Sequence, residues 1–239
     1  MKTNIIIPAR AGSTRFLGKM LHPIDGIPVV IRTANQCNYV KQKVDICIAT
    51  DSKEIYECAR DYGYNSIMTG ECLTGIDRCA EANRILKTEY VINVQGDEPL
   101  IEPHVIEKVI KYSKTATLTY NCYSYFKDTE NPESTKYVKV VTDSENDLMY
   151  ASRALIPMSK KGVSYMPKKQ IGVYGFYKNQ LEEFYKLGEK RPLESVEDIE
   201  ILRFLENLEC VSMICVDSNC HAVDYPEDIK IIEDRLTKG

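Results

Sequence analysis

Residues 5–19 read IIIPARAGSTRFLGK. The three isoleucines are typical of a buried strand, and the small-residue loop after them carries two arginines and a lysine. Such a loop can turn backbone amides towards an anion while Arg10, Arg15 and Lys19 supply positive charge, and we expect that anion to be a triphosphate. The stretch is not a Walker loop, because five residues separate its two glycines and a methionine follows Lys19. An ordinary basic surface loop after a first strand is the alternative.

The composition argues against several classes of protein. The 239 residues carry a net charge of −4, with acids and bases mixed along the chain, so no basic face for a nucleic-acid polymer is expected. The nine cysteines are odd in number and contain no C-x-x-C pair, which favours reduced thiols packed in the core. No apolar run approaches the roughly 20 residues of a membrane span, and no signal peptide is recognisable. We therefore expect a soluble, cytoplasmic globular protein.

The first half of the sequence alternates strands with helices. After the opening strand, apolar runs and amphipathic spacing predict helix 29–37, strand 44–49, helix 53–62, strand 65–68, helix 77–86 and strand 90–95. This order predicts an α/β fold with a mostly parallel sheet and helices on its faces. A ligand is expected at the carboxyl ends of the strands.

An acidic pair follows the strand predicted at 90–95. The sequence there is Gly96-Asp97-Glu98-Pro99. Carboxylates at the end of a buried strand are a recognisable magnesium position, because hard cations prefer oxygen ligands. A plain β-turn is the alternative.

The second half of the sequence is richer in predicted strands. These are 117–125, 137–142 and 148–150, which we expect to form an antiparallel extension, and then 170–177 and 211–216. Helices are predicted at 179–186 and 193–208. In the second of these helices, Glu200 and Arg203 are expected to form an ordinary surface pair. Asp224 is expected to cap the final helix.

Several short segments occur in one collinear order along the chain. They are IPAR (7–10), STR (13–15), GK (18–19), TD (50–51), TGIDR (74–78), VQGDEP (94–99), VKVV (138–141), SR (152–153), IP (156–157), IGVY (171–174), PLE (192–194), Glu200, LR (202–203), VD (223–224) and PED (226–228). Together they resemble the 3-deoxy-manno-octulosonate cytidylyltransferases of lipopolysaccharide biosynthesis, over nearly the whole chain.

The resemblance implies a CTP-dependent enzyme that activates a 2-keto sugar acid as its CMP derivative. In that family the anomeric hydroxyl attacks the α-phosphate of CTP, pyrophosphate leaves, and two aspartates bind magnesium. The corresponding residues here are Asp97 and Asp224. The resemblance also implies one domain over residues 1–239, a homodimer, and a β-rich insertion at 120–165 that builds the dimer.

The resemblance assigns the remaining site residues to three roles. The catalytic residues are Arg10, Lys19, Asp97 and Asp224. The residues that bind CTP are Ala9, Arg10, Ser13, Arg15, Lys19, Thr74, Asp77 and Gln95. The residues that bind the acceptor are Arg78, Arg153, Gln170, Tyr174, Glu200 and Ile201, with Arg78 and Arg153 facing its carboxylate.

Three positions depart from the family's pattern. Ile76 replaces a usual threonine, Gln170 a usual histidine and Ile201 a usual glutamine. Because the last two belong to the acceptor side, the sequence leaves the acceptor open: 3-deoxy-manno-octulosonate, an amino-octulosonate, a nonulosonic acid or a phosphonate. We expect Gln170→His with Ile201→Gln to improve use of the unmodified octulosonate. A nucleotide-binding module without catalysis is a third hypothesis, which the presence of both aspartates disfavours.

Overall fold

The computed structural model describes residues 1–115 and 118–237. The strands are β1 (Thr3–Ala9), β2 (Pro23–Ile24), β3 (Ile27–Pro28), β4 (Asp45–Thr50), β5 (Asn65–Met68), β6 (Tyr90–Val94), β7 (Thr119–Tyr125), β8 (Lys139–Thr142), β9 (Leu148–Ser152), β10 (Lys168–Tyr177) and β11 (Val211–Cys215). The helices are α1 (Val29–Asn38), α2 (Lys53–Asp61), α3 (Gly75–Leu86), α4 (Pro103–Tyr112), α5 (Lys178–Lys186), α6 (Pro192–Glu197), α7 (Leu202–Glu206) and α8 (Glu227–Leu236).

Strand β1 lies inside the central sheet, which runs in the order β11-β7-β10-β6-β1-β4-β5. It pairs in parallel with β4 and β6, and β5 extends the sheet in parallel beyond β4. Ile5 and Ile7 pack into one apolar cluster with α1 and α4, whereas Ile6 packs into another with α3 and α5. Because side chains alternate along a strand, the isoleucine run requires apolar layers on both faces. The predicted mostly parallel α/β fold is confirmed.

On the far side of β6 from β1, the sheet contains β10, which runs antiparallel to its neighbours. It is antiparallel to both β6 and β7, while β7 and β11 are parallel to each other. The hairpin β8–β9 is antiparallel, as predicted, and β8 also pairs with the start of β10. Within residues 120–165, β7 therefore lies in the main sheet and the hairpin extends it. Position 117, where β7 was predicted to begin, lies outside the described residues.

Two helical segments differ from the predictions. Helix α4 was not predicted, although Pro103 lies at its first turn and its apolar side chains are buried. The helix predicted at 193–208 is interrupted, because Asp198 adopts a left-handed conformation with φ of 52° between α6 and α7. The apolar periodicity continues across this break, so spacing alone could not reveal it.

Arg203 is buried and is not part of a surface pair. Its guanidinium donates to both carboxylate oxygens of Asp77 at 2.8 and 3.1 Å and to both of Glu194 at 2.7 Å. The group lies over the ring of Phe184, 3.9 Å from the centroid. Glu200, its predicted partner, accepts instead from the N–H groups of Gly75 and Ile76 at the start of α3. The predicted surface pair is therefore wrong.

The cysteines and the helices can be compared with what the composition predicts. All nine cysteines are free thiols, and five of them are buried. Burial raises the pKa of Cys47 to about 12, which suits core packing and not thiol chemistry. Among the described residues, no helix is long and apolar enough to cross a membrane.

Replacing Arg203 by methionine should lower the free energy of unfolding by about 3–5 kcal/mol, because two buried carboxylates would lose their shared cation. Denaturant unfolding measures this change. Lys186→Met, which breaks the exposed pair with Glu183, is the control and should have little effect. Equal effects of the two substitutions would contradict the structural role given to Arg203.

Candidate active site

The loop after β1 delivers Lys19 to the acidic pair predicted from the sequence. Gly18 adopts a φ of 69°, a conformation open to glycine, and a short 3-10 helix begins at Lys19. The Lys19 side chain is buried, and its Nζ lies 2.5 Å from Oδ2 of Asp97. At Gly96 an added Cβ would lie 2.7 Å from the carbonyl oxygen of Pro8, so the ends of β1 and β6 approach closely there.

A carboxylate at the end of β4 ties this loop to α3. Asp51 Oδ1 accepts from the N–H of Ala11 at 3.1 Å, and Oδ2 accepts from Arg78 at 2.7 Å. Arg78 also donates to Thr69 and to the carbonyl of Gly70. The loop and Arg78 are therefore fixed relative to each other before any ligand binds.

The two predicted metal-binding aspartates lie on adjoining segments. The N–H of Val223 donates to the carbonyl of Asp97 at 2.9 Å, which brings the following residue, Asp224, towards Asp97. The Asp224 carboxylate lies 3.2 Å from Arg15. Asp224 does not cap α8, which begins at Glu227, and its own N–H donates to Asp228. The carboxylate of Asp224 is therefore available to the cleft, and the predicted capping role is wrong.

These acidic groups lie in an environment that disfavours their charge. Burial, and then the negative charge of Asp97, raises the pKa of Asp224 above its ordinary value. The same two causes raise the pKa of Glu98 to about 8, and one oxygen of the buried Glu98 carboxylate lacks a hydrogen-bond partner. A cation would relieve this repulsion. Within the described residues, no group of three or more acidic, histidine or cysteine side chains is placed to bind a metal ion by itself. A site with two carboxylates suits magnesium that keeps waters or phosphate oxygens as its other ligands.

The cleft above these aspartates has two adjoining halves. The loop half, about 420 Å³, is bordered by the loop after β1 and the start of α3. The β10 half, about 220 Å³, is bordered by the start of β10, the segment after α6 and the segment before α8. Side chains that line both halves define the junction: Arg15, Gln95, Asp97, Lys136, Arg153, Asp198 and Glu200.

Most predicted site residues meet in this cleft. The loop half is lined by Arg10, Ser13, Arg15, Lys19, Thr74, Arg78, Gln95 and Asp97. The β10 half is lined by Asp97, Arg153, Gln170, Tyr174, Glu200 and Asp224. The structure thus brings the predicted CTP set and the predicted acceptor set into neighbouring halves of one cleft.

Four predicted residues are placed differently. Ala9 is completely buried, and Asp77 is bonded to Arg203 and to the Thr74 hydroxyl, so neither lines the cleft. Arg78 lines only the loop half, whereas Arg153 lines both halves. Ile201 is completely buried in an apolar cluster and lines neither half, because the break after α6 turns Glu200 towards the cleft and the next side chain away from it.

The hydrogen bonds around Gln170 define what it presents to the β10 half. The amide nitrogen of Asn121 donates to the carbonyls of Ile171 and Val173, so its oxygen faces Gln170. Gln170 donates its own amide nitrogen to that oxygen at 2.8 Å. The amide oxygen of Gln170 therefore remains as a hydrogen-bond acceptor for a ligand.

The sequence reasoning missed several polar side chains of the β10 half. Lys136, Lys169 and His221 all line it, together with Glu98 of the predicted acidic pair. The three missed residues come from β10 and from irregular segments that carry no spacing signal, so only the fold brings them together.

A mostly parallel sheet with a cationic loop and two convergent aspartates at its carboxyl edge defines a nucleotidyltransferase. The profile of the cytidylyltransferase family matches residues 4–211. The chain is 41% identical over 240 residues to a 3-deoxy-manno-octulosonate cytidylyltransferase from a Nitratiruptor species, covering 95% of this chain and 97% of that protein. It is 36% identical over 244 residues to 8-amino-3,8-dideoxy-manno-octulosonate cytidylyltransferase of Shewanella pealeana, covering 99% of each.

The solved structures agree with the sequence relatives. CMP:2-keto-3-deoxy-manno-octonic acid synthetase complexed with CTP superposes with a TM-score of 0.91 at 26% identity, over 100% of this chain and 99% of that one. The protein belongs to the cytidylyltransferase family.

Replacing Ile201 by glutamine should lower the free energy of unfolding by about 1–3 kcal/mol, because a buried amide would lack partners. It should not improve kcat/KM for any acceptor, since Ile201 does not line the cleft. Ile231→Gln on α8, where the side chain is 40% exposed, is the control for denaturant unfolding. A stable Ile201→Gln enzyme with improved kcat/KM would contradict this placement.

Proposed function

We propose that this protein transfers the cytidylyl group of CTP to a 2-keto sugar acid, either 3-deoxy-manno-octulosonate or its 8-amino derivative, and releases pyrophosphate. The main support for the proposal is the arrangement of acidic and basic side chains in the cleft. Asp97 lies where its two halves meet and Asp224 lines the adjoining β10 half, and each is paired with a cation of the loop after β1. The relatives act on both octulosonates by name, and they cover almost all of the chain.

The loop half is the proposed site for CTP. Arg10, Ser13 and Lys19 would contact the triphosphate, while Thr74 and Gln95 would line the cytidine. Lys19 now pairs with Asp97 and would exchange that carboxylate for phosphate oxygens. The acceptor hydroxyl would form a bond to the α-phosphorus from the side of the β10 half as the bond to pyrophosphate breaks. The protein contributes mainly by aligning these groups and by balancing their charge.

Magnesium is the proposed metal, and the residues present fit it. Asp97 and Asp224 would hold it, and burial together with the negative charge of Asp97 raises the pKa of Asp224, a repulsion that a bound cation would relieve. When bound, magnesium would neutralise phosphate charge and make the acceptor hydroxyl easier to deprotonate. Lys19 and Arg15 occupy these carboxylates in the present structure and would turn to the phosphates.

The β10 half is the proposed site for the sugar acid. Gln170 offers an amide oxygen there, which can accept a hydrogen bond from a hydroxyl or from an amine. Both octulosonates therefore suit this wall of the cleft. Pyrophosphate release with CTP and a panel of acids (both octulosonates, a nonulosonic acid and a phosphonate) tests the proposal. Release with none of them would favour a nucleotide-binding module without catalysis.

A homodimer is the proposed assembly. Beyond β8, the segment from β9 to the start of β10 exposes large apolar side chains, namely Met149, Met158, Val163, Tyr165 and Met166. Exposed apolar side chains grouped along one extension are typical of a surface that a second copy covers. All of these residues except Met166 fall within residues 120–165, the region to which the resemblance assigns dimerisation.

Replacing Asp97 or Asp224 by asparagine should lower kcat roughly a hundredfold or more, because the magnesium that would balance the transition-state charge would lose a carboxylate ligand. The fold should persist, since the shapes of the side chains are retained. Asp217→Asn, in an exposed pair with Lys127, is the matched control. Near-normal turnover by either cleft variant at saturating magnesium would show that the metal assignment is wrong.

Lys19→Ala should weaken CTP binding about 10- to 100-fold, as expected for loss of a charge-assisted hydrogen bond. The effect on CMP should be much smaller, because CMP lacks the outer phosphates. Calorimetric titration with each nucleotide gives the two dissociation constants. If both nucleotides weaken equally, Lys19 does not contact the β- or γ-phosphate.

A further inference from the structure

Lys136 lies at the junction of the two halves, and the proposed reaction gives it no role so far. Two other cations of the β10 half already have acidic partners. Arg15 pairs with Asp224 at 3.2 Å, and Lys169 pairs with Glu130 at 2.5 Å with both side chains buried. Arg78, which the sequence assigned to the acceptor's carboxylate, lines only the loop half and pairs with Asp51. Of the other two cations that line this half, Arg153 forms no salt bridge among the described residues, whereas Lys136 pairs with Asp228. Both line the junction, where an acid in the β10 half could contact them.

Arg153 carries a charge that no acid neutralises directly. Its guanidinium donates to the carbonyl oxygens of Thr135, Glu197 and Asp198 at 2.9–3.2 Å. Among the described residues, no carboxylate forms a salt bridge with this guanidinium. Because an arginine has five N–H donors, two of them remain for a ligand.

A buried lysine fixes Lys136 relative to Arg153. The Lys139 side chain is completely buried, and its ammonium donates to the carbonyls of Ser134, Tyr137 and Arg153. These carbonyls lie on both sides of Lys136 and on Arg153 itself. Burial, and then the positive charge of Arg153, lowers the pKa of Lys139. The Lys139 ammonium thus connects the backbone on either side of Lys136 to the backbone of Arg153.

Lys136 is also fixed from the side of the catalytic aspartate. Asp228 accepts hydrogen bonds from Lys136 and from the N–H groups of Asp224 and Tyr225. Nε2 of His221 lies within hydrogen-bond distance of both Lys136 and Asp228. Since an ammonium has three donors, Lys136 can keep both of its contacts and still bind an anion. The contact with Asp228 links Lys136 to the segment that carries Asp224.

We propose that Lys136 and Arg153 together bind the carboxylate of the acceptor, with Lys139 as a positioning residue. This inference rests on the proposed function, because it requires an acid acceptor. In a 2-keto sugar acid the carboxylate is attached to the carbon whose hydroxyl attacks CTP. A carboxylate held at the junction therefore places that hydroxyl at the entrance to the loop half, beside Asp97.

The test compares the acid acceptor with its carboxamide in wild-type and Lys136→Met enzymes. Lys136→Met should lower kcat/KM for the acid about 10- to 100-fold, the range expected for a charge-assisted contact, and change kcat/KM for the carboxamide little. KM for CTP should stay unchanged. Lys136→Arg should restore most of the activity with the acid, because it restores the charge.

Lys190→Met is the matched control, since Lys190 lines only the loop half and also pairs with an aspartate, Asp198. It should lower kcat/KM for the acid and the carboxamide by the same factor. Circular dichroism checks folding, and Lys136→Gln, which can still donate to Asp228, replaces Lys136→Met if that variant is unfolded.

Equal losses with the acid and the carboxamide in the Lys136 variants would show that Lys136 has only a structural role, and would overturn the inference. If the wild-type enzyme releases no pyrophosphate with any 2-keto sugar acid, the proposed function fails, and this inference fails with it. Activity on the acid together with a selective loss in Lys136→Met supports both.

Discussion

The buried guanidinium of Arg203 is the interaction on which the arrangement of the cleft depends. It joins Asp77 at the start of α3 to Glu194 in α6, two segments that are distant in sequence. Nearby, the Glu200 carboxylate accepts hydrogen bonds from the N–H groups of the first two residues of α3, Gly75 and Ile76. The walls of the loop half and of the β10 half are therefore connected, and disturbing this cation would disturb both halves of the cleft.

The cleft itself is organised by cations that already hold carboxylates. Lys19 pairs with Asp97, Arg15 with Asp224 and Lys136 with Asp228. Pairing of this kind keeps buried charges compensated, which limits the cost of placing them away from water. In the proposed reaction, phosphates would replace the carboxylate partners of Lys19 and Arg15, whereas the acid acceptor would use free donors of Lys136 and Arg153, so that little reorganisation is required.

The sequence predicted those features that depend on local pattern. The isoleucine run of β1 and the strand 65–68 follow directly from apolar spacing, and the loop and acidic pair at the carboxyl edge follow from their order. Arg203 could not be recognised, because a charged residue three positions from a glutamate also fits an exposed helix face. Ile201 was misplaced because only the left-handed turn at Asp198 reverses the direction of the following side chains.

The central claim is that the two halves of the cleft hold CTP and a sugar acid so that the α-phosphorus passes from one to the other. The most direct measurement follows CTP radiolabelled at its α-phosphorus during incubation with magnesium and 3-deoxy-manno-octulosonate or its 8-amino derivative. The account predicts that the label appears in a CMP-sugar acid in step with unlabelled pyrophosphate. Label that stays in CTP, or that appears only in free CMP with every acid offered, would contradict it.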